Sequence, residues 1–337
     1  MTGSEDATET SLDAADGTDE TDAADGRSGT VTDRAAAPGG EWRLIREERR
    51  PGPMQMALDE VAAETAAAGG PSTVRVYGWE PSCLSLGYGQ DTDTVDWAFC
   101  EREGIDITRR QTGGGGIYHD AHGDIAYSIA VPAGEVPGEL LDCYHLLCRP
   151  ILDAFDALGL DVDYVDTTVS ELYHPTCYLR ELHPAHDMVA RASTDEELGS
   201  DAEPGSDAEP GSDAEPGSGR KIAGNAQYRK RDAVIQHGSL SYAVDATRHL
   251  GTFADPPVTP EAFEQRVVGI DELADVDRAA AVGAVEASLA AWVETNPDAT
   301  LDRDGTWTDE EIDRARELVA TKYRDDDWVR SRHGDER

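Results

Sequence analysis

Four consecutive glycines, Gly113, Gly114, Gly115 and Gly116, interrupt the stretch 108–120, TRRQTGGGGIYHD. A run with no Cβ atoms is poor helix and poor strand, so the segments on either side must be separate elements meeting at a bare backbone turn. Ile105, Ile107 and Thr108 before it, and Ile117 and Tyr118 after it, are strand formers. The turn is not a Walker phosphate loop, because no Gly-Lys-Ser/Thr follows, and not a dinucleotide loop, because no helix pattern follows. What remains is a row of N–H groups against which an anionic ligand can lie. Arg109 and Arg110 stand before the turn. Alternation along a strand lets only one face that ligand and leaves the other to solvent or a carboxylate. His119 and Asp120 follow as a candidate pair, and His119 is placed in the pocket wall rather than in the chemistry.

Downstream, GRKIAGNAQ carries Lys221, one of three lysines (with Lys230 and Lys322) in a chain that otherwise uses arginine for positive charge. A compact ammonium can follow a reacting group more freely than a guanidinium fork. The 69 acidic and 29 basic residues give a net charge of −40. That balance repels nucleic acid and anionic membrane, and it suits a high-salt, halophilic cytoplasm where screening removes self-repulsion. The acidic N-terminus lacks the apolar segment of a signal peptide, and no apolar run is long enough to span a bilayer. Five cysteines lack metal-type spacing and indicate a reducing, cytoplasmic setting. Cys143 and Cys148 read as core. Cys177, in the loop HPTCY near His174, His183 and His186, is either a nucleophile or an inert thiol. His237 reads as a core or supporting residue within a strand.

Residues 1–38 are an acidic, apolar-poor tail expected to be disordered. Residues 39–328 read as one catalytic domain and 329–337 as a second tail. Within the domain, 195–218 ends in three tandem DAEPGS units; with nine acidic and no basic residues it reads as an insertion at a hairpin tip. Strands are expected at 42–45, 73–77, 83–88, 105–108, 124–131, 161–165, 221–227 and 233–242. The strand 124–131 is expected to pair with the one entering the glycine turn, and Gly224 to sit in a second turn. Helices are expected at 53–64, 96–103, 140–158, 260–267, 276–294 and 308–323. Met54, Leu58, Val61 and Ala62 form the buried stripe of the first, and Thr308 with Glu311 forms a capping box at the last. This irregular mixture implies an α+β fold with mostly antiparallel sheets flanked by helices.

Taken together, RRQTGGGGIYHD, GRKIAGNAQYRKRDAVIQHGSLSY, the early MQMALDEVAAE and the terminal EEIDRARELVATKYRDDDW resemble the lipoate–protein ligase and octanoyltransferase family. That family shares its catalytic fold with biotin–protein ligase. The resemblance runs from residue 42 to residue 328, broken by the acidic insertion. It implies that Arg110, Gly113, Gly114, Gly115, Gly116, Ile117, Tyr118, His119, Gly224 and Lys221 contact an acyl adenylate. A ligase would use ATP and Mg2+ to join lipoate or octanoate to a lysine of a lipoyl domain through acyl-AMP. Its acceptors would be 2-oxoacid dehydrogenase E2 or the glycine cleavage H protein. With no separate accessory domain visible, a small partner subunit would complete adenylation.

The resemblance also divides. Gly115, and Asp187 beside His186, match the ligases, whereas the transferases carry arginine at the third glycine. Cys177, Gln227 and the Gln236-His237-Gly238 context match octanoyltransferases that use a cysteine nucleophile. The ligase is the preferred reading and the Cys177 octanoyltransferase the alternative. A non-catalytic acyl-binding protein and a biotin ligase rank below both.

Overall fold

Strand β1 (Gly40–Arg50) and helix α1 (Gly52–Ala67) open the described chain, which comprises residues 36–191 and 219–331 of the computed structural model. They are followed by β2 (Ser72–Trp79), β3 (Cys83–Leu86), α2 (Trp97–Glu103), β4 (Asp106–Arg109), β5 (Ile117–His119), β6 (Asp124–Pro132) and α3 (Leu140–Ala157). Then come β7 (Val162–Tyr164), β8 (Asp187–Ala190), β9 (Arg220–Arg229), β10 (Ala233–Ser241), α4 (Ala246–Gly251), α5 (Pro260–Arg266) and α6 (Ile270–Leu273). Helix α7 (Arg278–Glu294), β11 (Ala299–Asp302) and α8 (Asp309–Leu318) complete the set.

An eight-stranded sheet runs in the order β11-β1-β2-β6-β10-β9-β8-β7. Its β11-β1-β2 edge is parallel and every other pairing is antiparallel. A three-stranded sheet, β4-β3-β5, stands apart. The α+β expectation holds.

Alternation along β6 explains the layering. Ile125, Tyr127, Ile129 and Val131 point to one face and pack under α3 and α7, with Leu147, Ile151, Phe155, Val285 and Leu289. Burying each such aliphatic or aromatic side chain contributes roughly 1.5–3 kcal/mol. On the other face, Ala126 joins the cluster of Met56 and Leu58, and Ala130 packs on Ala62 and Ala63. Alanines on both surfaces let α1 lie close to the sheet, and α8 covers α1 from outside through Ala315 and Leu318. Twelve of the 16 residues of α1 are buried, including Gln55, Asp59 and Glu60. The single stripe expected of this helix is thus a correction: sheet, α8 and β3 surround it, and Met54 is only partly buried.

The capping box at α8 is present, with Thr308 Oγ1 accepting from the Glu311 N–H at 3.2 Å and Glu311 Oε2 from the Thr308 N–H at 2.9 Å. Three other expectations are corrected. Strand β6 pairs with β2 and β10, while both strands at the glycine turn flank β3. Gly224 lies inside β9, opposite Ser239 and Asp187. The order also extends past the expected tail boundaries. Ala37 is buried and its carbonyl accepts from Asn296 Nδ2 at 2.8 Å, and Val329 is buried at the other end. Most of the expected N-terminal tail (1–35), the DAEPGS repeats (within 192–218) and residues 332–337 lie outside the described residues. Among the described residues no helix is long and apolar enough to cross a membrane.

Candidate active site

The glycine turn joins two strands that both pair with β3, so it must pass over the end of that strand. Glycine is required there. Gly114 has φ +94°, and a Cβ on Gly87, just beyond β3, would sit 1.9 Å from the Gly114 carbonyl oxygen. Arg110 fills the inside of the turn. Its guanidinium donates to the carbonyls of Ser85 (2.8 Å), Gly113 (2.8 Å) and Gly115 (2.7 Å) and, through Nε, to Thr112 Oγ1 (3.0 Å). Burial pushes its proton affinity down. Arg110 therefore lines the cavity, but its donors hold the turn in shape, which corrects the expectation that it would be left for the ligand. Arg109 is likewise not at solvent. Wholly buried, it donates to the carbonyls of Gly87 (2.7 Å), Gln90 (2.9 Å), Trp328 (3.1 Å) and Val329 (2.8 Å). It ties the C-terminal segment to the loop behind the turn.

The Cys177 loop lies directly on the glycines. The Gly116 N–H donates to the Pro175 carbonyl (2.8 Å) and the Cys177 N–H to the Gly116 carbonyl (2.9 Å). A Cβ on Gly115 would stand 2.6 Å from Pro175 O and 2.8 Å from Cys177 N. Gly115 and Gly116 thus seat this loop instead of facing the cavity, as Gly113 and Gly114 do. Of the five cysteines, Cys83, Cys100, Cys143 and Cys148 are buried, and Cys177 is the one on the cavity wall.

Strand β9 brings Lys221 up from the opposite side. Its Nζ lies 2.7 Å from Asp187 Oδ1, 3.2 Å from the Cys177 carbonyl oxygen and 3.9 Å from Cys177 Sγ. Its side chain is 1 % exposed. Burial works against the ammonium, but the charge and hydrogen bond of Asp187, together with Cys177 and Tyr178, outweigh it and hold the lysine above its ordinary value. Burial likewise opposes the Asp187 carboxylate, and Lys221 with His186 brings that group well below the usual carboxylate range. The cation, the thiol and the glycine turn expected from separate parts of the sequence therefore meet at one cavity of about 380 Å3.

Two hydroxyl–histidine–carboxylate chains brace the wall. His119 bonds Ser85 Oγ (2.8 Å) and Asp124, and stacks on Trp79 at 3.9 Å. His237 bonds Thr112 Oγ1 (2.8 Å) and Asp59 Oδ2 (3.1 Å). Burial lowers His119 despite the opposing pull of Asp124. His119 is in the wall as expected, but its carboxylate partner is Asp124. Asp120 accepts from Tyr118 Oη (2.8 Å) and two turn N–H groups. Tyr118 itself is a correction: Ile117 and His119 face the cavity, so strand alternation turns Tyr118 away. Gly224 does line the cavity, since Cβ space beside it is filled by Lys221 Cε at 3.3 Å. His183 and His186 stack on each other at the wall, and His174 is an exposed partner of Glu171. Sequence reasoning missed Trp79, Tyr77 and Met56, which supply much of the apolar wall, and Arg180 and Asn225, which supply polar groups. Nothing local marks them. Asp187 was visible as a neighbour of His186, but not as the partner of Lys221.

Residues 51–291 match the family of the lipoyl protein ligase A/B catalytic domain. The chain is 30% identical over 299 residues to an octanoyltransferase LipM of Geobacillus kaustophilus, covering 85% of this chain and 97% of that protein. Its fold matches a putative lipoate protein ligase of Thermoplasma acidophilum with bound lipoic acid (TM-score 0.63, 21% identity, 86% of this chain and 99% of that one). It also matches a bipartite lipoate protein ligase from the same organism, described with its E2 lipoyl domain (TM-score 0.63, 20% identity, 87% and 96%). The chain belongs to the lipoyl protein ligase A/B catalytic-domain family, the enzymes of protein lipoylation.

Proposed function

We propose that this chain is a cysteine-dependent octanoyltransferase that moves an octanoyl group from an acyl-carrier thioester to a lysine of a lipoyl domain. One observation carries the reading: Cys177 Sγ stands at the cavity wall 3.9 Å from the Lys221 ammonium. The relative named as an octanoyltransferase, matched over nearly its whole length, supports the same branch. The ligase preferred from sequence takes second place.

In the first half-reaction the Cys177 sulfur attacks the thioester carbon, a new C–S bond forms, and the carrier leaves as a thiol with the proton that Cys177 gave up. Lys221 Nζ is aimed at the region where charge develops on sulfur and carbonyl oxygen, and the Gly113–Gly114 backbone borders the same space. In the second, the neutral amine of the acceptor lysine attacks the acyl carbon. The amide forms, the C–S bond breaks, and the surplus amine proton returns to Cys177. Met56, Tyr77, Trp79 and Ile117 would enclose the hydrocarbon chain.

The ATP-dependent ligase reading keeps one specific support. The space beside Gly115 is filled by the backbone of the Cys177 loop, so the arginine that the resemblance gives transferases at this glycine does not fit. Among the described residues no group of three His, Cys, Asp or Glu side chains is placed to hold a metal ion. Of the cations on the wall, Arg110 and Lys221 are engaged with protein oxygens, leaving Arg180.

Intact-mass analysis of a lipoyl domain separates the readings. The transferase modifies it from octanoyl-carrier thioester without ATP, and Cys177→Ala abolishes this. Modification by free lipoate that requires ATP-Mg and survives Cys177→Ala would establish the ligase instead.

A further inference from the structure

The reaction proposed above transfers an acyl group from sulfur to a lysine amine, and the enzyme holds a lysine amine of its own beside that sulfur. With Lys221 Nζ 3.9 Å from Cys177 Sγ, a thioester carbon bonded to that sulfur falls within reach of the amine, near the roughly 3–3.5 Å of a near-attack arrangement. An amide formed there would be a dead end, because thiols do not reverse it.

We infer that Asp187 protects the acyl-enzyme from its own Lys221, by holding that amine as an ammonium with no lone pair to attack. The inference rests on the transferase reading.

The two side chains are almost wholly buried, at 1 % and 4 % exposure, and Nζ to Oδ1 is 2.7 Å. The other groups facing Lys221 cannot replace this charge. They are the Cys177 carbonyl and thiol and, at 5.4 Å, the Tyr178 ring. Asp187 is itself fixed by the His183 N–H (2.8 Å) and His186 Nδ1 (3.4 Å), with Arg266 acting on it from further off. A β-bulge between Met188 and Val189 shifts the register, so Asp187 stands level with Gly224 yet its carboxylate reaches Lys221. A buried lysine stripped of its carboxylate sheds its proton, since burial penalises the charged form. The neutral amine would then attack the Cys177 thioester: a C–N bond forms, the C–S bond breaks, and the amine proton passes to sulfur. Asp187 thus acts as a positioning residue through Lys221.

The test omits the acceptor. Wild type and Asp187→Asn are incubated with octanoyl-carrier thioester, treated with hydroxylamine, and analysed by intact mass and peptide mapping. Three lysines in the chain make the map simple. The expected wild-type product is one octanoyl group on Cys177, fully removed by hydroxylamine. Asp187→Asn should keep a resistant octanoyl group on Lys221 and lose turnover after about one acylation. Asp187→Glu should restore the labile adduct, and Asp187→Asn with Cys177→Ala should give none.

A resistant group that persists in the double variant, or a purely labile adduct in Asp187→Asn, overturns the inference while leaving the transferase reading intact. A wild type that forms no labile adduct on Cys177 overturns both. Should Asp187→Asn fail to fold, wild type at pH 10 decides. The adduct should stay labile where an ordinary lysine, with a pKa of about 10.4, is partly neutral. Accumulation of octanoyl-Lys221 there overturns the inference.

Discussion

The backbone N–H of Cys177 donates to the carbonyl oxygen of Gly116 at 2.9 Å, so the thiol is fixed to the glycine turn through the main chain. Gly115 makes this contact feasible, because its missing side chain leaves room for Pro175, Thr176 and Cys177. Gly115→Ala would place a Cβ 2.6–2.9 Å from backbone atoms, which cannot swing aside as a side chain can. Displacing the Cys177 loop by about an ångström should slow acyl transfer by about 100-fold. Overpacking should cost about 1–3 kcal/mol of stability. Single-turnover transfer and thermal unfolding measure the two, and unchanged kinetics would contradict the seating role.

Arg109 should matter for stability rather than for chemistry. Its fork serves carbonyls on both the loop after β3 and the C-terminal segment, a geometry one ammonium cannot reproduce. Arg109→Lys is expected to cost about 2–4 kcal/mol by leaving buried carbonyls unpaired. The loss should appear as faster hydrogen exchange at Trp328 and Val329, before exchange in the eight-stranded sheet changes.

Glu311 gives a pH signature. Burial alone would raise its carboxyl, but bonds from Arg43 (2.6 and 2.8 Å), Thr65 (2.6 Å) and the Thr308 N–H outweigh burial and bring it down to about 2. A carboxyl depressed on folding contributes stability above its unfolded pKa, and that contribution is lost as pH falls through the folded value. Glu311→Gln should therefore cost about 2 kcal/mol at neutral pH. Its difference from wild type should fade between about pH 4.5 and about pH 2. Denaturant titrations across that range test this, and a constant difference would refute it.

The net charge of −40 predicts a strong salt response. Raising ionic strength from 0.1 to 1 M shortens the screening length from about 10 to about 3 Å. The melting temperature should rise by several degrees between these conditions, as differential scanning calorimetry would record. A flat response would argue against a high-salt setting.

The residues by themselves determined the local grammar of this protein. The glycine run demanded a turn between two strands, Thr308 and Glu311 marked a helix start, and scarcity made Lys221 conspicuous among arginines. Each of these signals depends on backbone sterics or on neighbours a few positions away. The resemblance also set Arg110 and Tyr118 against the acyl adenylate, where contacts engage the first within the turn and turn the second from the cavity. The guanidinium curled inward because the carbonyls of a tight turn needed donors, and strand alternation sent Tyr118 to the far face. Pairing was equally out of reach: β6 chose β2 and β10 over the glycine-turn strands, since register depends on faces that only the assembled layers present. The ion pair of Lys221 with Asp187, and their closeness to Cys177, arose only when β8 and β9 came together across the acidic insertion. Burial then gave that pair its strength, because a charge removed from water is tolerated only beside its opposite.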